Sequence, residues 1–323
     1  MSFRDISCPK CGGTLPGEAR KRIVTCTYCG ANVMHEMNVV HASSYRNAFE
    51  DRAKEAKKSA DCLVAEVPYR IEGRLGVGES SDVFLATRCT SFPERVVIKV
   101  LRNKVDQDLF QRSYYLVKEL SMNGGKGSEH FSRMIPIPVH EGPIVGNHFP
   151  VGSKAQVFLY RPGFTHTLEA LAPMLRAGDP RHAVWMARRI LEVLGWVHAG
   201  GVVHGAILPS NIVIHPRDHG ALLVGFGAAG RRGANETARS MRAPTLYPGE
   251  VGSALDPMFD LRMTARMMLS LFSHADIPAR IRTYFEEVGT TKNLREAAEM
   301  HRTLGELAKE AFGPPTFVPF VVA

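Results

Sequence analysis

With 323 residues, 45% of them hydrophobic and 22% charged, the chain can bury one large core plus a smaller module, and large-scale disorder is excluded. No apolar run approaches the roughly 20 residues that cross a bilayer, and Met1-Ser-Phe-Arg-Asp5 lacks the apolar stretch of a secretory signal, so a cytoplasmic protein without membrane association is expected. The net charge of +8 (pI 9.3) admits anionic partners, but the basic residues are spread along the chain, which leaves nucleic acid a secondary expectation.

Four of the six cysteines fall in two C-x-x-C pairs, Cys8/Cys11 and Cys26/Cys29, with fourteen residues between them. In a reducing compartment such pairs argue for metal rather than disulfides, and no βαβ pattern surrounds them to suggest a redox dithiol. Gly12 and Gly30 follow the pairs as a knuckle requires, where backbone amides turn towards the sulfurs. Residues 1–38 therefore read as a zinc ribbon with a structural, closed four-thiolate site that supplies the stability so small a segment lacks. His35 and His41 are superfluous to that site, and Cys62 and Cys89 read as ordinary thiols. Ribbons contact proteins or nucleic acid: a protein-docking role is preferred, while Lys10, Arg20, Lys21 and Arg22 would line a phosphate-contacting face under the other reading. Residues 39–66 read as a helical connector, capped at Ser43 or Ser44, with a narrow apolar stripe of Tyr45, Phe49, Ala53, Ala56 and Ala60.

From Tyr69 two strands flank a glycine-rich turn with Gly76, Gly78 and Ser81, followed by Val83, and the alternating strand Arg95 to Leu101 carries Lys99 among valines. A lysine there needs solvent or an anionic partner, because burying it alone costs several kcal/mol. A helix is expected from Val105 to Met122, a flexible turn at 123–128, and strands at Met134–Ile137, Ile144–Val145 and Ala155–Tyr160, the last containing Phe158 and leading into Pro162-Gly163. Asp179 caps a helix whose apolar spacing runs through Ile190, Leu191, Leu194 and Val197 to His198. Next come His204, Gly205, Ala206, Pro209 and Asn211, two short apolar strands, and Gly225-Phe-Gly227. Residues 227–250 hold Arg231, Arg232, Arg239 and Arg242. Asp260 precedes an apolar helix over Met263–Phe272, and helices near Pro278–Gly289 and Asn293–Phe312 complete the pattern.

These landmarks, over about Tyr69 to Phe312, resemble the eukaryotic-type protein kinases in their order, including the catalytic-loop pattern H-R-D-x-x-x-x-N and the metal-loop pattern D-F-G. The arrangement is also similar to bacterial zinc-ribbon proteins with a kinase-like domain. The resemblance implies an α+β, bilobal fold, with an N-lobe and hinge over 67–162 and a C-lobe over 163–323. Lys99 takes the place of the lysine that holds the α- and β-phosphates. Gly76, Gly78, Val83, Phe158 at the gatekeeper place and Asn211 complete the implied nucleotide site. Asp260 takes the place of an acid that bonds the catalytic-loop backbone, and either Ser113 or Glu119 stands where the helix carries the partner of Lys99. But Ala206 occupies the place of the catalytic Asp and Gly225 that of the magnesium-binding Asp, so no catalytic residue is assigned; Asn211 is read as structural, and Gly205 removes the arginine that grips a phosphorylated loop. The expectation is a pseudokinase acting as a signalling or assembly scaffold, contacting protein partners through the ribbon or the basic segment. Weak ATP binding without a formed magnesium site stays open. The alternatives are an atypical ATP-dependent Ser/Thr kinase or other phosphoryl or nucleotidyl transferase drawing on Asp218 or Asp256, and a nucleic-acid-binding ribbon.

Overall fold

The structure, a computed structural model, describes residues 7–15, 23–34, 50–52, 54–55, 58–122, 127–249, 251–272, 276–291, 293–294 and 296–322. It divides into two compact units, Met1–Lys58 and Ser59–Ala323. Arg20, Lys21, Arg22, His35, His41 and, in the expected connector, Ser43, Ser44, Tyr45, Phe49, Ala53 and Ala56 lie outside the described residues.

In the first unit β1 (Ile23–Thr25) pairs antiparallel with β2 (Asn32–Met34), with Val24 opposite Val33. Alternation turns Val24 inward onto Cys8, Leu15 and Cys26, while Ile23 faces solvent. Among the described residues of this unit four are buried, few to set against an ordering entropy of about 1–2 kcal/mol per residue.

The second unit begins with a closed, all-antiparallel barrel of β3 (Cys62–Val64), β4 (Val67–Val77), β5 (Ser81–Arg88), β6 (Glu94–Leu101), β8 (Lys154–Leu159) and β7 (Pro138–Gly146), in that order round the barrel. The strand period of two explains both faces of β6: Val96, Ile98 and Val100 fill the interior with Tyr69, Ala86, Ile144 and Val157, and Val97 and Lys99 project from the other side. Closure depends on β3, since Cys62 pairs with Tyr69 on one side and Gly146 on the other. A Cβ at Gly146 would stand 2.7 Å from the Asp61 carbonyl, so only glycine admits β3 there. The end of the expected connector is thus a strand. It turns into β4 through Ala65 and Glu66, both at positive φ (45° and 66°), without the Asn or Gly by which such turns announce themselves in sequence.

Helix α1 (Gln107–Met122) follows β6, preceded by a 3-10 turn at Lys104–Asp106. The strand expected at Met134–Ile137 is instead a 3-10 turn (Ser132–Met134) and a link outside any strand: Pro136 has no N–H for a ladder, the Ile137 carbonyl accepts the Leu159 N–H at 3.0 Å, and the strand starts at Pro138. The helical part contains α2 (Leu168–Arg176), α3 (Arg181–Ala199), α4 (Pro257–Leu271), α5 (Ala279–Thr290) and α6 (Ala297–Phe312). Sequence reading overlooked α2, although Thr167 caps it by accepting the Ala170 N–H at 3.2 Å and Leu168, Leu171 and Leu175 form its buried stripe. Asp179 acts as expected, accepting the Arg181 N–H at 2.8 Å. The centre of the core is α4, buried almost all round, against Met186, Ile190 and Leu194 of α3. A small sheet of β9 (His166–Thr167), β11 (Ile212–His215) and β12 (Gly220–Leu223) and the pair β10 (Val202–Val203) and β13 (Gly230–Arg231) frame the loops described next.

Candidate functional site

The loop between β10 and β11 is held from below by one buried carboxylate. Asp260, on the first turn of α4, accepts the His204 and Gly205 backbone N–H groups, one on each oxygen at 2.8 Å, and His198 Nε2 donates to Oδ2 at 2.8 Å. This is the bracing expected of Asp260. His204 is fully buried: its Nδ1 accepts the Ala206 N–H and its Nε2 donates to the Val224 carbonyl at 3.0 Å, a tautomer that needs a neutral ring. Burial pushes its pKa down, in agreement. Gly205 has φ of +72°, and a Cβ there would meet the Ala228 carbonyl at 2.7 Å, so no arginine fits this backbone.

Asn211 closes the loop. Its Nδ2 donates to the Ala206 carbonyl at 3.0 Å, and its own carbonyl accepts the Val224 N–H at 2.8 Å. Gly225, opposite, has φ of +82°, and a Cβ built on it would lie 2.3 Å from Asn211 Oδ1 and 2.4 Å from Cγ. The amide of Asn211 therefore fills the space into which a side chain at 225 would project. Neither Ala206 nor Gly225 offers a carboxylate oxygen, the ligand that magnesium demands. Asp256 caps α4 by accepting the Phe259 N–H at 2.9 Å, and Asp218 pairs with Arg217 on the surface, so both alternative acids are already engaged.

In the barrel, Lys99 stands opposite Val83 on β5 and Gln156 on β8, and Val83 in turn opposite Gly76 on β4. Its Nζ lies 5.3 Å from the centroid of the Phe110 ring, and among the described residues it makes no ion pair. Desolvation lowers its pKa to about 8. The two candidates for its partner are occupied elsewhere: Ser113 Oγ donates to the Phe110 carbonyl at 2.6 Å, and Glu119 pairs with Arg231 of β13. Phe158 is buried against Tyr114 of α1, ring centroids 5.8 Å apart. Sequence reading overlooked Gln156, which is fully buried, donates to the Phe110 carbonyl at 2.6 Å and, among the described residues, leaves Oε1 without a partner. Its place opposite Lys99 emerges only from the β6–β8 register, which the sequence does not display.

The arginines of segment 227–249 divide. Arg231 is paired with Glu119, and Arg239 with buried Glu236 at 2.6 Å and the Tyr247 ring, whereas Arg232 and Arg242 are exposed with no ion pair among the described residues. Arg242 borders a cavity of about 290 Å³ with Glu169, Ser210, Thr245 and Ser270. A second cavity, about 490 Å³, lies on the barrel beside Arg74, Asp82, Phe84 and Phe149. Neither includes Lys99, Gly225 or Asn211.

In the smaller unit the sulfurs of Cys8, Cys11, Cys26 and Cys29 all lie within 4.8 Å of one another, a cluster that could hold a metal ion. Gly12 and Gly30 take positive φ (73° and 67°), and their N–H groups donate to the Cys8 and Cys26 carbonyls. Backbone N–H groups of Cys29 and Tyr28 lower the Cys26 thiol to about 7, whereas Cys11, despite a Gly13 N–H that lowers it, is raised to about 12 by thiols sharing its proton. Lys10, the one described member of the expected basic face, is exposed.

No protein-family model matches the chain. It is 25% identical over 163 residues to the serine/threonine-protein kinase AfsK of Streptomyces coelicolor, covering 50% of this chain and 18% of that one. It is 26% identical over 199 residues to serine/threonine-protein kinase D of Synechocystis sp., covering 58% and 34%. The chain thus spans about a third or less of the length of these curated relatives. Among solved structures it is similar to the Toxoplasma gondii specific rhoptry antigen kinase domain, with a TM-score of 0.55 and 14% identity over 82% of this chain and 93% of that one. The fold is kinase-like and α+β. Among the described residues no helix is long and apolar enough to cross a membrane.

Proposed function

We propose that this is a pseudokinase: a bilobal kinase-like domain that does not transfer phosphate and serves as a signalling or assembly scaffold, carrying a zinc ribbon at its N-terminus. The observation that carries the reading is the Asn211 amide standing where a side chain at Gly225 would point. Phosphoryl transfer depends on metal-borne charge stabilisation, and losing both acids and the metal's place removes most of the rate enhancement. Lys99 supports the same reading, since among the described residues it lacks the ion pair that positions this lysine in an assembled site. Lys99 and the amides of the Gly76–Gly78 turn would balance the phosphates of a weakly bound, metal-free ATP.

The four sulfurs suit zinc: soft thiolates at this spacing give a tetrahedral, closed sphere with no position left for water, so the ion would be structural. Protein partners would be met through the ribbon or through Arg232 and Arg242, the open members of the basic segment. Thermal shift with ATP, with and without magnesium, tests the lost metal site. Any shift is expected to be the same in both; a shift that requires magnesium contradicts the reading.

A further inference from the structure

The glycine-rich hairpin between β4 and β5 is tied down at its tip. Glu79 Oε1 accepts two hydrogen bonds from the segment that follows Gly225, from Ser240 Oγ at 2.8 Å and from the Met241 N–H at 3.0 Å. The donors are themselves fixed. Ser240 Oγ accepts the Arg242 N–H at 3.2 Å, and the Ser240 N–H donates to the Tyr247 hydroxyl at 2.9 Å. On the hairpin side, Arg102 Nη1 donates to the Gly78 carbonyl at 2.9 Å, and the Gly78 N–H to the Ser81 carbonyl at 2.7 Å. Glu79 is held from both directions.

The topology gives these bonds their meaning. The hairpin tip, 78–80, joins two barrel strands in which Gly76 pairs with Val83 and Val83 with Lys99, whereas residues 240–242 follow the loop that contains Gly225 and run on towards α4. A bond between them ties the barrel hairpin to that segment. Two more ties run beside it from α1, Arg112 Nη2 to Thr237 Oγ1 at 2.6 Å and Glu119 to Arg231. Unlike those, the Glu79 contact lies on the glycine-rich hairpin itself, the part that covers the phosphates in a nucleotide site of the kinase type.

We propose that Glu79 is an autoinhibitory latch: its carboxylate, bonded to Ser240 and Met241, holds the hairpin shut over Lys99 and keeps polyphosphates out of the cleft. The proposal rests on reading that cleft as a relic nucleotide site. A partner that draws segment 238–243 away would release the latch, which makes access to the cleft a consequence of docking at that segment.

Backbone hydrogen exchange on the full chain tests the bond itself, because the Met241 N–H is one of its donors. In Glu79→Ala the Met241 amide and the amides of 76–81 should exchange together at least ~10-fold faster than in wild type. In Glu79→Gln, whose amide oxygen accepts the same two bonds, the change should be several-fold smaller. Unchanged exchange at Met241 in Glu79→Ala, or loosening on one side only, overturns the latch. Binding of a fluorescent ATP analogue without metal tests the gate: Glu79→Ala should bind at least ~10-fold more tightly than wild type, with Ser240→Ala between the two. Faster exchange with no gain in binding, including no binding by any variant, overturns the gating role. Phosphoryl transfer by the wild type would contradict the proposed function instead, and would leave the exchange result standing.

Discussion

Replacing Gly225 by aspartate is expected to destabilise the protein rather than restore a metal site, because the new Cβ meets the Asn211 amide and the backbone at 225 stays at φ of +82°. Left-handed strain and overpacking each cost about 1–3 kcal/mol, so denaturant unfolding should show a loss of about 3 kcal/mol. A variant as stable as wild type would mean that Asn211 moves aside freely. The second residue-scale prediction concerns Lys99, whose folded pKa of about 8 lies below its usual value of 10.5. The unfolded chain then binds the proton more tightly, so stability falls as pH drops from 10.5 to 8 and remains lowered at neutral pH. Lys99→Met should accordingly stabilise the protein at pH 7 by about 2 kcal/mol, after discount for the partial exposure of the side chain, and the gain should vanish towards pH 10.5. Destabilisation at pH 7 would show that the amine has an anionic partner in solution. Both residues were legible in the sequence, Gly225 as a departure from the kinase pattern and Lys99 as a match to it. The clash between Asn211 and Gly225 was not, since it depends on how the loop after β10 and the loop after β12 meet.

Among the elements, the barrel departs furthest from the sequence reading. Helices α1, α3, α5 and α6 lie close to where apolar spacing and caps put them, because their buried stripes recur every three to four residues. Strand β3 escaped notice for two physical reasons. It is three residues long, and it turns into β4 through Ala65 and Glu66, which carry no turn signature. Helix α2 was hidden by its length and by Pro173 within it. The consequence for β3 can be measured by truncation. Removing residues 1–58 should leave the melting transition of the larger unit in place. Removing 1–66 should lower it by about 10 °C, since the loss of buried Cys62 and Val64 and of the ladders to β4 and β7 is worth about 4 kcal/mol. Equal transitions in the two truncations would show that β3 does not hold the barrel closed.

On the scale of the whole molecule, the fold is kinase-like, and on the proposed reading residues around the expected site serve structure rather than chemistry. Asn211 braces a loop, Asp256 caps a helix, Glu119 ties α1 to β13, and His204 is a buried neutral strut. The unit has an α4-centred core and exposes Arg232 and Arg242, the two residues through which the proposed reading has it meet partners. The most direct test is a transfer assay with radiolabelled ATP and magnesium or manganese, comparing wild type with Lys99→Ala on the protein itself and on generic protein substrates. The account predicts no incorporation above that of the variant; robust transfer that depends on Lys99 would contradict it.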